Sequence, residues 1–225
     1  MNKYKIWMNI LLFASVAGFF SCNDVLDVDN KNAIPNQNVY TDPNLATAFV
    51  NALYNAIPGW DVSIADASDE AYGKNAWNNG TTTADAPIWY WPYTDIRNLN
   101  TFMVNIVNDN VTTIESPLRT RLTGEAKFIR AYVYFEMVKR YGGIPLITEP
   151  QTLDDNLQVH RTSTKECFDF IIRELEDAEK MLPNDYDATA DKGRITRLAI
   201  RAFRGRVLLT RASAQFNPSS NAALW

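Results

Sequence analysis

The chain has 225 residues, of which 46% are hydrophobic and 12% aromatic, and its formal net charge is −4. A chain of this length and composition can bury a sizeable core, so it is not a disordered tail. The acidic balance argues against nucleic-acid binding, which needs a cationic surface, and one histidine with two cysteines is too few for a structural zinc site.

The first residues form a segment that is typical of a secretory signal. Two lysines give it a positive start, and an apolar run over residues 6–20 follows. This run is shorter than the ~20 residues that a membrane-spanning helix needs. It ends in Ser21-Cys22, a small residue before a cysteine, as at a lipoprotein-processing site. We therefore predict a signal peptide over residues 1–21 and lipidation of Cys22. The alternative is an ordinary signal peptide with an incidental cysteine.

Residues 22–41 are predicted to be a flexible tether, because the stretch after Cys22 is acidic and unlike a core element. Several acyl chains on one cysteine would hold the protein stably on a membrane. The folded body of the protein is then predicted over residues 42–225.

Hydrophobic residues recur at helical spacing through most of this body. The first helix is predicted to have Asp42 as N-cap and Pro43 in its first turn, and to end before Pro58. The second is predicted over residues 92–108. The spacing predicts as their buried faces Leu45, Ala48, Phe49, Ala52, Leu53 and Ala56 in the first helix, and Ile96, Leu99, Met103 and Ile106 in the second.

The third helix has the clearest limits, since Ser116-Pro117 supplies a cap and first turn and Gly142-Gly143 terminates it. We predict a helix over residues 116–140 and a short extended piece over residues 144–148. The residues predicted to form its buried face are Leu118, Leu122, Ala126, Ile129, Tyr132, Val133 and Met137.

Two more helices complete the predicted set. Ser163 and Glu166 form a capping box, in which each side chain satisfies a free backbone N–H group, and Pro183 ends the helix that follows. The fifth helix is predicted over residues 196–214. The predicted buried faces are Phe168, Ile171, Ile172, Leu175 and Leu182 in the fourth helix, and Leu198, Ala199, Ala202, Phe203, Gly205 and Leu209 in the fifth.

These patterns predict an all-α fold of tetratricopeptide-like helical pairs with long irregular loops. Small residues at the helix contacts are typical of such close pairs. Sustained alternation of polar and apolar residues, the pattern of strands, is not found. Three arginines on one face of the fifth helix, Arg197, Arg201 and Arg204, are interpreted as a solvated or partner-facing stripe.

Residues 60–93 lack periodicity and combine aromatic side chains with acids and amides. A long loop of this kind in a compact domain is usually functional or disordered, and the aromatic content argues against disorder. Sugars have apolar C–H faces that stack on aromatic rings, and hydroxyl groups that bind Asp and Asn. The alternative is that these aromatics only pin the loop to the helices. The predicted ligand-binding residues are Asp69, Trp77, Asn78, Trp89, Tyr90 and Trp91.

The acids in the same loop leave a catalytic alternative open. Asp66, Asp69 and Glu70 could supply a glycosidase pair, which needs two carboxyl groups about 5–10 Å apart. No Gly-x-Ser-x-Gly elbow or phosphate-binding loop is present in the sequence. We therefore predict no catalytic residue, no metal site and no cofactor.

Several segments together resemble one family. LTGEAKFIRAY at 122–132, with RYGGIPL at 140–146, is similar to the signature of the SusD/RagB family of outer-membrane nutrient-uptake lipoproteins. IRNLNTF at 96–102 and GRITRLA at 193–199 are similar to other parts of that family, as is the lipoprotein-like start. The segments occur in the expected order and cover essentially the whole predicted mature chain.

The resemblance implies a lipid-anchored protein on the exterior of the outer membrane that binds oligosaccharide or polysaccharide. By the same resemblance it would cap a TonB-dependent (SusC-like) transporter and deliver the glycan to it, without catalysis. Its helices would face the transporter and its ligand site would lie on exposed loops.

Members of that family are longer than this chain, which stops after Leu224-Trp225 without a helix terminator. We therefore expect a truncated product or a fragment, with an incomplete SusD-like N-terminal domain over residues 42–225. Two other interpretations stay open. One is a lipid-anchored helical-repeat scaffold that binds only proteins, and the other is a surface glycoside hydrolase.

Overall fold

The computed structural model describes residues 36–59, 90–107 and 113–217. Within these ranges the structure is helical and contains no strand, as the sequence predicts. The segment 144–148, predicted as extended, has no regular secondary structure. Short 3₁₀ turns follow α2 and precede α6. The α-helices are α1 (Asn36–Thr41), α2 (Pro43–Leu53), α3 (Tyr93–Ile106), α4 (Ser116–Tyr141), α5 (Thr164–Met181) and α6 (Arg197–Arg211).

The helix starts follow the predicted capping residues. The Asp42 carboxylate accepts from the backbone N–H groups of Asn44 at 2.7 Å and Leu45 at 3.2 Å. At the start of α5, Ser163 Oγ accepts from Glu166 N at 3.2 Å, and Glu166 Oε2 accepts from Ser163 N at 3.3 Å. The predicted capping box is therefore confirmed, and these side chains satisfy backbone donors that the first helical turn leaves free.

Helix α4 ends at two glycines that no other residue could replace without strain. Gly142 has φ +70° and ψ −127°, a backbone conformation that is open to glycine and costly for residues with a Cβ atom. A Cβ atom on Gly143 would collide with the carbonyl oxygen of Thr162. The chain can therefore turn back and lay the start of α5 against the end of α4.

The core surrounds α4, which α2, α3 and α5 all contact. Between Leu122 and Val138 nearly every side chain of α4 is buried, so the predicted stripe was correct but too narrow. A helix buried on all sides has no polar face for periodicity to detect. Gly124 allows the closest approach, because a Cβ atom there would lie 2.8 Å from the Met181 Cβ of α5.

The predicted faces of α2 and α6 need correction. In α2 the buried residues are Ala46, Val50 and Leu53, whereas the predicted Ala48 and Ala52 are exposed. In α6 the buried residues are Ile200 and Val207, and Phe203 stacks on Tyr132 with ring centroids 4.8 Å apart. The other residues predicted to be buried in α6 are exposed, namely Leu198, Ala199, Ala202, Gly205 and Leu209.

The folded part also begins earlier than predicted. Helix α1 lies within the range 22–41 that was expected to be a tether. Its Tyr40 is buried, and the Tyr40 ring lies 6.3 Å from that of Phe49 and 6.2 Å from that of Phe102. These two aromatic contacts join α1, which carries no hydrophobic periodicity of its own, to α2 and α3.

Candidate functional site

Two of the six predicted ligand-binding residues, Tyr90 and Trp91, belong to the described residues. Asp69, Trp77, Asn78 and Trp89 lie outside them, as do the predicted lipidation site Cys22 and the predicted signal peptide. The two described residues precede α3 and lie close to the end of α4.

Trp91 is a large apolar side chain that the fold leaves open to solvent. Its side chain is 41% exposed. The indole lies 5.0 Å from the Tyr93 ring and meets the Tyr141 ring edge-on at 5.1 Å, measured between centroids. Such aromatic pairs contribute about 0.5–1.5 kcal/mol beyond the area they bury. The indole is therefore held on a rigid support while part of it remains open to a ligand.

Tyr90, in contrast, has its polar groups engaged within the protein. Its hydroxyl donates to the Ala56 carbonyl at 2.9 Å, and its backbone N–H donates to the Tyr141 hydroxyl at 2.9 Å. The Arg140 guanidinium lies 5.1 Å from the ring centroid. Burial, followed by the nearby Glu136 carboxylate, raises the pKa of Tyr90 well above its ordinary value. These contacts favour the interpretation in which this residue pins the loop to the helices.

A cleft that sequence analysis missed lies on the other side of Tyr93. It has a volume of about 300 Å³ and separates the start of α3 from the segment 147–151. This segment carries no motif and is far along the chain from α3, so no sequence signal could have joined the two. The cleft is lined by Tyr93, Thr94, Ile96, Arg97, Ile147, Glu149 and Gln151.

Buried side chains fix the backbone wall of this cleft. Asn100 Nδ2 donates to the Ile147 carbonyl at 2.8 Å, and Tyr134 Oη both donates to that carbonyl at 2.8 Å and accepts from Ile147 N at 2.9 Å. Arg130 Nη1 donates to the Thr148 carbonyl at 3.1 Å. A loop that would otherwise have unsatisfied backbone groups is thus held by three side chains from α3 and α4.

The same network extends to α5. Arg130 Nη1 also donates to Asn100 Oδ1 at 2.8 Å, and Arg130 Nε donates to Glu174 Oε2 at 2.8 Å. Lys127 forms an ion pair with Glu174 at 3.0 Å. Asn100 and Arg130 belong to two of the sequence segments that resemble the family, 96–102 and 122–132, and this network gives a physical role to these two residues.

The arginine stripe of α6 faces α5. Arg201 Nε lies 2.6 Å from Glu179 Oε1, and Arg204 Nη1 lies 2.9 Å from Glu179 Oε2. Arg197 Nε donates to the carbonyl oxygens of Glu179 and Leu182, each at 3.1 Å. The stripe therefore joins α6 to α5 as well as being partly solvated.

The described part of the chain contains neither a metal-binding cluster nor a membrane-spanning helix. No group of three His, Cys, Asp or Glu side chains there is placed to hold a metal ion. None of the helices in the described ranges has the length and apolar character to cross a membrane.

Most of the chain matches one known protein family. Residues 24–209 match the SusD-like family model described as starch-binding and associating with the outer membrane. The chain belongs to the SusD-like family. The match confirms the family resemblance seen in the sequence. A SusD-like protein of Formosa agariphila is 25% identical over 224 residues, which cover 92% of this chain and 43% of that protein. A SusD-like protein of Bacteroides ovatus is 27% identical over 124 residues, 55% of this chain and 22% of that protein.

Solved SusD-like structures have the same helical fold. The crystal structure of a SusD-like protein from Bacteroides fragilis has a TM-score of 0.65 and 35% identity, covering 76% of this chain and 35% of that one. A structure described as a SusD-like carbohydrate-binding protein from the same species has a TM-score of 0.64 and 24% identity. The match covers 76% of this chain and 37% of that one. The chain thus spans less than half the length of these SusD-like relatives.

Proposed function

We propose that this chain serves on the outer-membrane surface as a lipid-anchored protein that binds oligosaccharide or polysaccharide. It delivers the glycan to a partner TonB-dependent (SusC-like) transporter. The observation that carries the proposal is the Trp91 indole, 41% exposed on a tyrosine support, in a chain of a family described as starch-binding. An aromatic face held in this way stacks on the C–H face of a sugar ring.

In the proposal, the other predicted ligand-binding residues contribute to the same site. Trp89 directly precedes Tyr90 and Trp91 in the chain, and Asp69, Trp77 and Asn78 belong to the same sequence segment, which lies outside the described residues. In the proposal these side chains add a second aromatic face and polar partners for sugar hydroxyls. Tyr90 supports them by fixing the chain before α3 to the 3₁₀ turn after α2 and to the end of α4.

The proposed activity is binding without bond cleavage. A structural neighbour is described as a carbohydrate-binding protein, and among the described residues that line the cleft beside Tyr93, Glu149 is the one carboxylate. Glycoside hydrolysis requires two carboxyl groups that flank the scissile bond. The anchor at Cys22 and the transporter partner are the parts of the proposal that rest on family membership.

A second candidate function is a scaffold that binds only proteins. The exposed face of α6 favours it, because Leu198, Leu208 and Leu209 are 56%, 45% and 75% exposed. Apolar residues grouped on one exposed face are typical of protein interfaces.

The experiment that tests the proposed function is affinity electrophoresis of the soluble chain from Asn23 to Trp225 on gels that contain neutral or acidic polysaccharides. We expect at least one polysaccharide to retard the protein and chromatography to detect no cleavage products. A protein that is helical by circular dichroism but is retarded by none would contradict glycan binding and favour the scaffold. Release of short oligosaccharides would contradict the absence of catalysis.

A further inference from the structure

The cleft beside Tyr93 contains two opposite charges that do not neutralise each other. Arg97, on the second turn of α3, and Glu149, on the opposite wall, both line it. Neither side chain forms an ion pair with the other or with any further residue in the described ranges. By contrast, the guanidinium of Arg194 lies 3.0 Å from the Glu125 carboxylate.

This combination selects for hydroxyl groups. A guanidinium is only a donor and a carboxylate is only an acceptor, whereas a hydroxyl group does both. A sugar between the two walls can therefore accept from Arg97 and donate to Glu149, and the Gln151 amide can do either. An anionic ligand would gain attraction from Arg97 and lose it to repulsion by Glu149.

Part of the remaining lining is apolar and fits the C–H face of a sugar. Ile147, which lines the cleft, is partly buried and offers apolar surface, whereas Ile96 is 1% exposed and adds almost none. Tyr93 also lines the cleft, and its ring lies 5.0 Å from the Trp91 indole, measured between centroids. A volume of about 300 Å³ lies at the lower limit of small-molecule sites, which suits one sugar unit better than an extended chain.

The cleft is also held in shape before any ligand arrives. The wall that carries Glu149 receives hydrogen bonds from Asn100, Tyr134 and Arg130, and Asn100 lies one turn after Arg97 on the same helix. A preorganised site loses less conformational freedom on binding and therefore binds more tightly.

We propose that this cleft is a subsite for one uncharged sugar unit, which Arg97 and Glu149 hold from opposite sides next to the Trp91 platform. The inference rests on the proposed glycan-binding function and names the class of glycan: neutral at the unit that enters the cleft. Uronic acids and sulfated sugars are disfavoured there, because repulsion by Glu149 offsets the attraction of Arg97 and the cost of taking their charge out of water is then not recovered.

The test is isothermal titration of the soluble chain from Asn23 to Trp225 with neutral hexasaccharides (maltohexaose, laminarihexaose, xylohexaose) and with hexagalacturonate. The variants are Arg97→Gln and Glu149→Gln. Their matched controls are Arg206→Gln and Asp154→Asn, two exposed charges with no ion pair in the described part. Circular dichroism verifies that every variant is folded.

We expect the wild-type chain to prefer a neutral hexasaccharide. Each cleft variant should bind it about tenfold or more weakly, since hydrogen bonds to charged groups are among the strong ones, while the controls stay within about twofold. Glu149→Gln should also narrow the preference for neutral over acidic ligand, because the repelling carboxylate is gone.

The outcomes separate this inference from the proposed function. Binding of a neutral hexasaccharide that both cleft variants leave unchanged would overturn the subsite and leave glycan binding intact. Preference of the wild type for hexagalacturonate would overturn the neutral class. No binding of any of the four ligands would contradict the proposed function and the subsite together.

Discussion

At the scale of the residue, a few buried polar side chains hold a distant backbone segment in place through hydrogen bonds. The resemblance segments drew attention to Asn100 and Arg130, but their partners lie far away in the chain. One is the backbone of 147–149, and the other is Glu174 of α5. Local spacing cannot supply such partners, so the sequence placed these residues only within family-like segments and did not predict the cleft that they shape.

Buried tyrosines give a prediction about stability at high pH. Tyr186 is 7% exposed, its hydroxyl donates to the Ile195 carbonyl at 3.1 Å, and burial raises its pKa to about 12. Burial also raises the pKa values of Tyr54 and Tyr134. Above pH ~10 the unfolded chain loses tyrosine protons that the folded chain keeps. The buried tyrosines should therefore contribute their full stabilisation below pH ~10, and the free energy of unfolding should fall as the pH rises toward 12.

Urea unfolding at pH 7, 10 and 11 measures this effect. Tyr186→Phe should be less stable than the wild type at pH 7 by about 1 kcal/mol, because a hydrogen bond is lost. Its stability should then fall less steeply between pH 10 and 11. Equal slopes for the two proteins would show that Tyr186 does not contribute to the pH dependence.

At the scale of the element, helix ends were predicted better than helix faces. Asp42 and Ser163 act through side-chain hydrogen bonds to residues two or three positions on, and Gly142 acts through its own backbone conformation, so local sequence is sufficient. The face of a helix depends on what packs against it. In α2 and α6 the predicted stripes contained alanines, which are compatible with either a buried or an exposed position, and the larger Val50 and Ile200 decide the true faces.

Gly143, just after α4, and Gly205, inside α6, should respond in opposite ways to replacement by alanine. Gly143→Ala should destabilise the protein by roughly 2 kcal/mol or more, because the new Cβ atom collides with the Thr162 carbonyl. Gly205→Ala is the matched control. This position lies inside α6 with nothing near the new Cβ atom, so alanine should stabilise the helix by about 0.5–1 kcal/mol.

Chemical unfolding of both variants measures the difference. The change in the free energy of unfolding should be negative for Gly143→Ala and positive for Gly205→Ala. A Gly143→Ala variant as stable as the wild type would show that the turn between α4 and α5 does not need the close approach.

At the scale of the whole molecule, the fold is a set of helices around one buried helix, with the Trp91 surface at one end of α4. The all-α class could be predicted because α2, α3, α5 and α6 carry hydrophobic periodicity and α4 has clear start and end signals, Ser116-Pro117 and Gly142-Gly143. The candidate site could be predicted only in part. The sequence singled out Trp91, which the fold leaves partly exposed, whereas Arg97 and Glu149 come together only through tertiary packing.

The glycan-binding claim depends most directly on the exposed indole. The measurement that tests it is affinity electrophoresis of Trp91→Ala beside Leu153→Ala, a control that removes an apolar side chain 94% exposed elsewhere on the surface. We expect Trp91→Ala to weaken binding of the retarding polysaccharide about tenfold, the loss that ~1.4 kcal/mol of stacking gives. Leu153→Ala should bind as the wild type does. Equal retardation of both folded variants would contradict the assignment of Trp91 as the sugar platform.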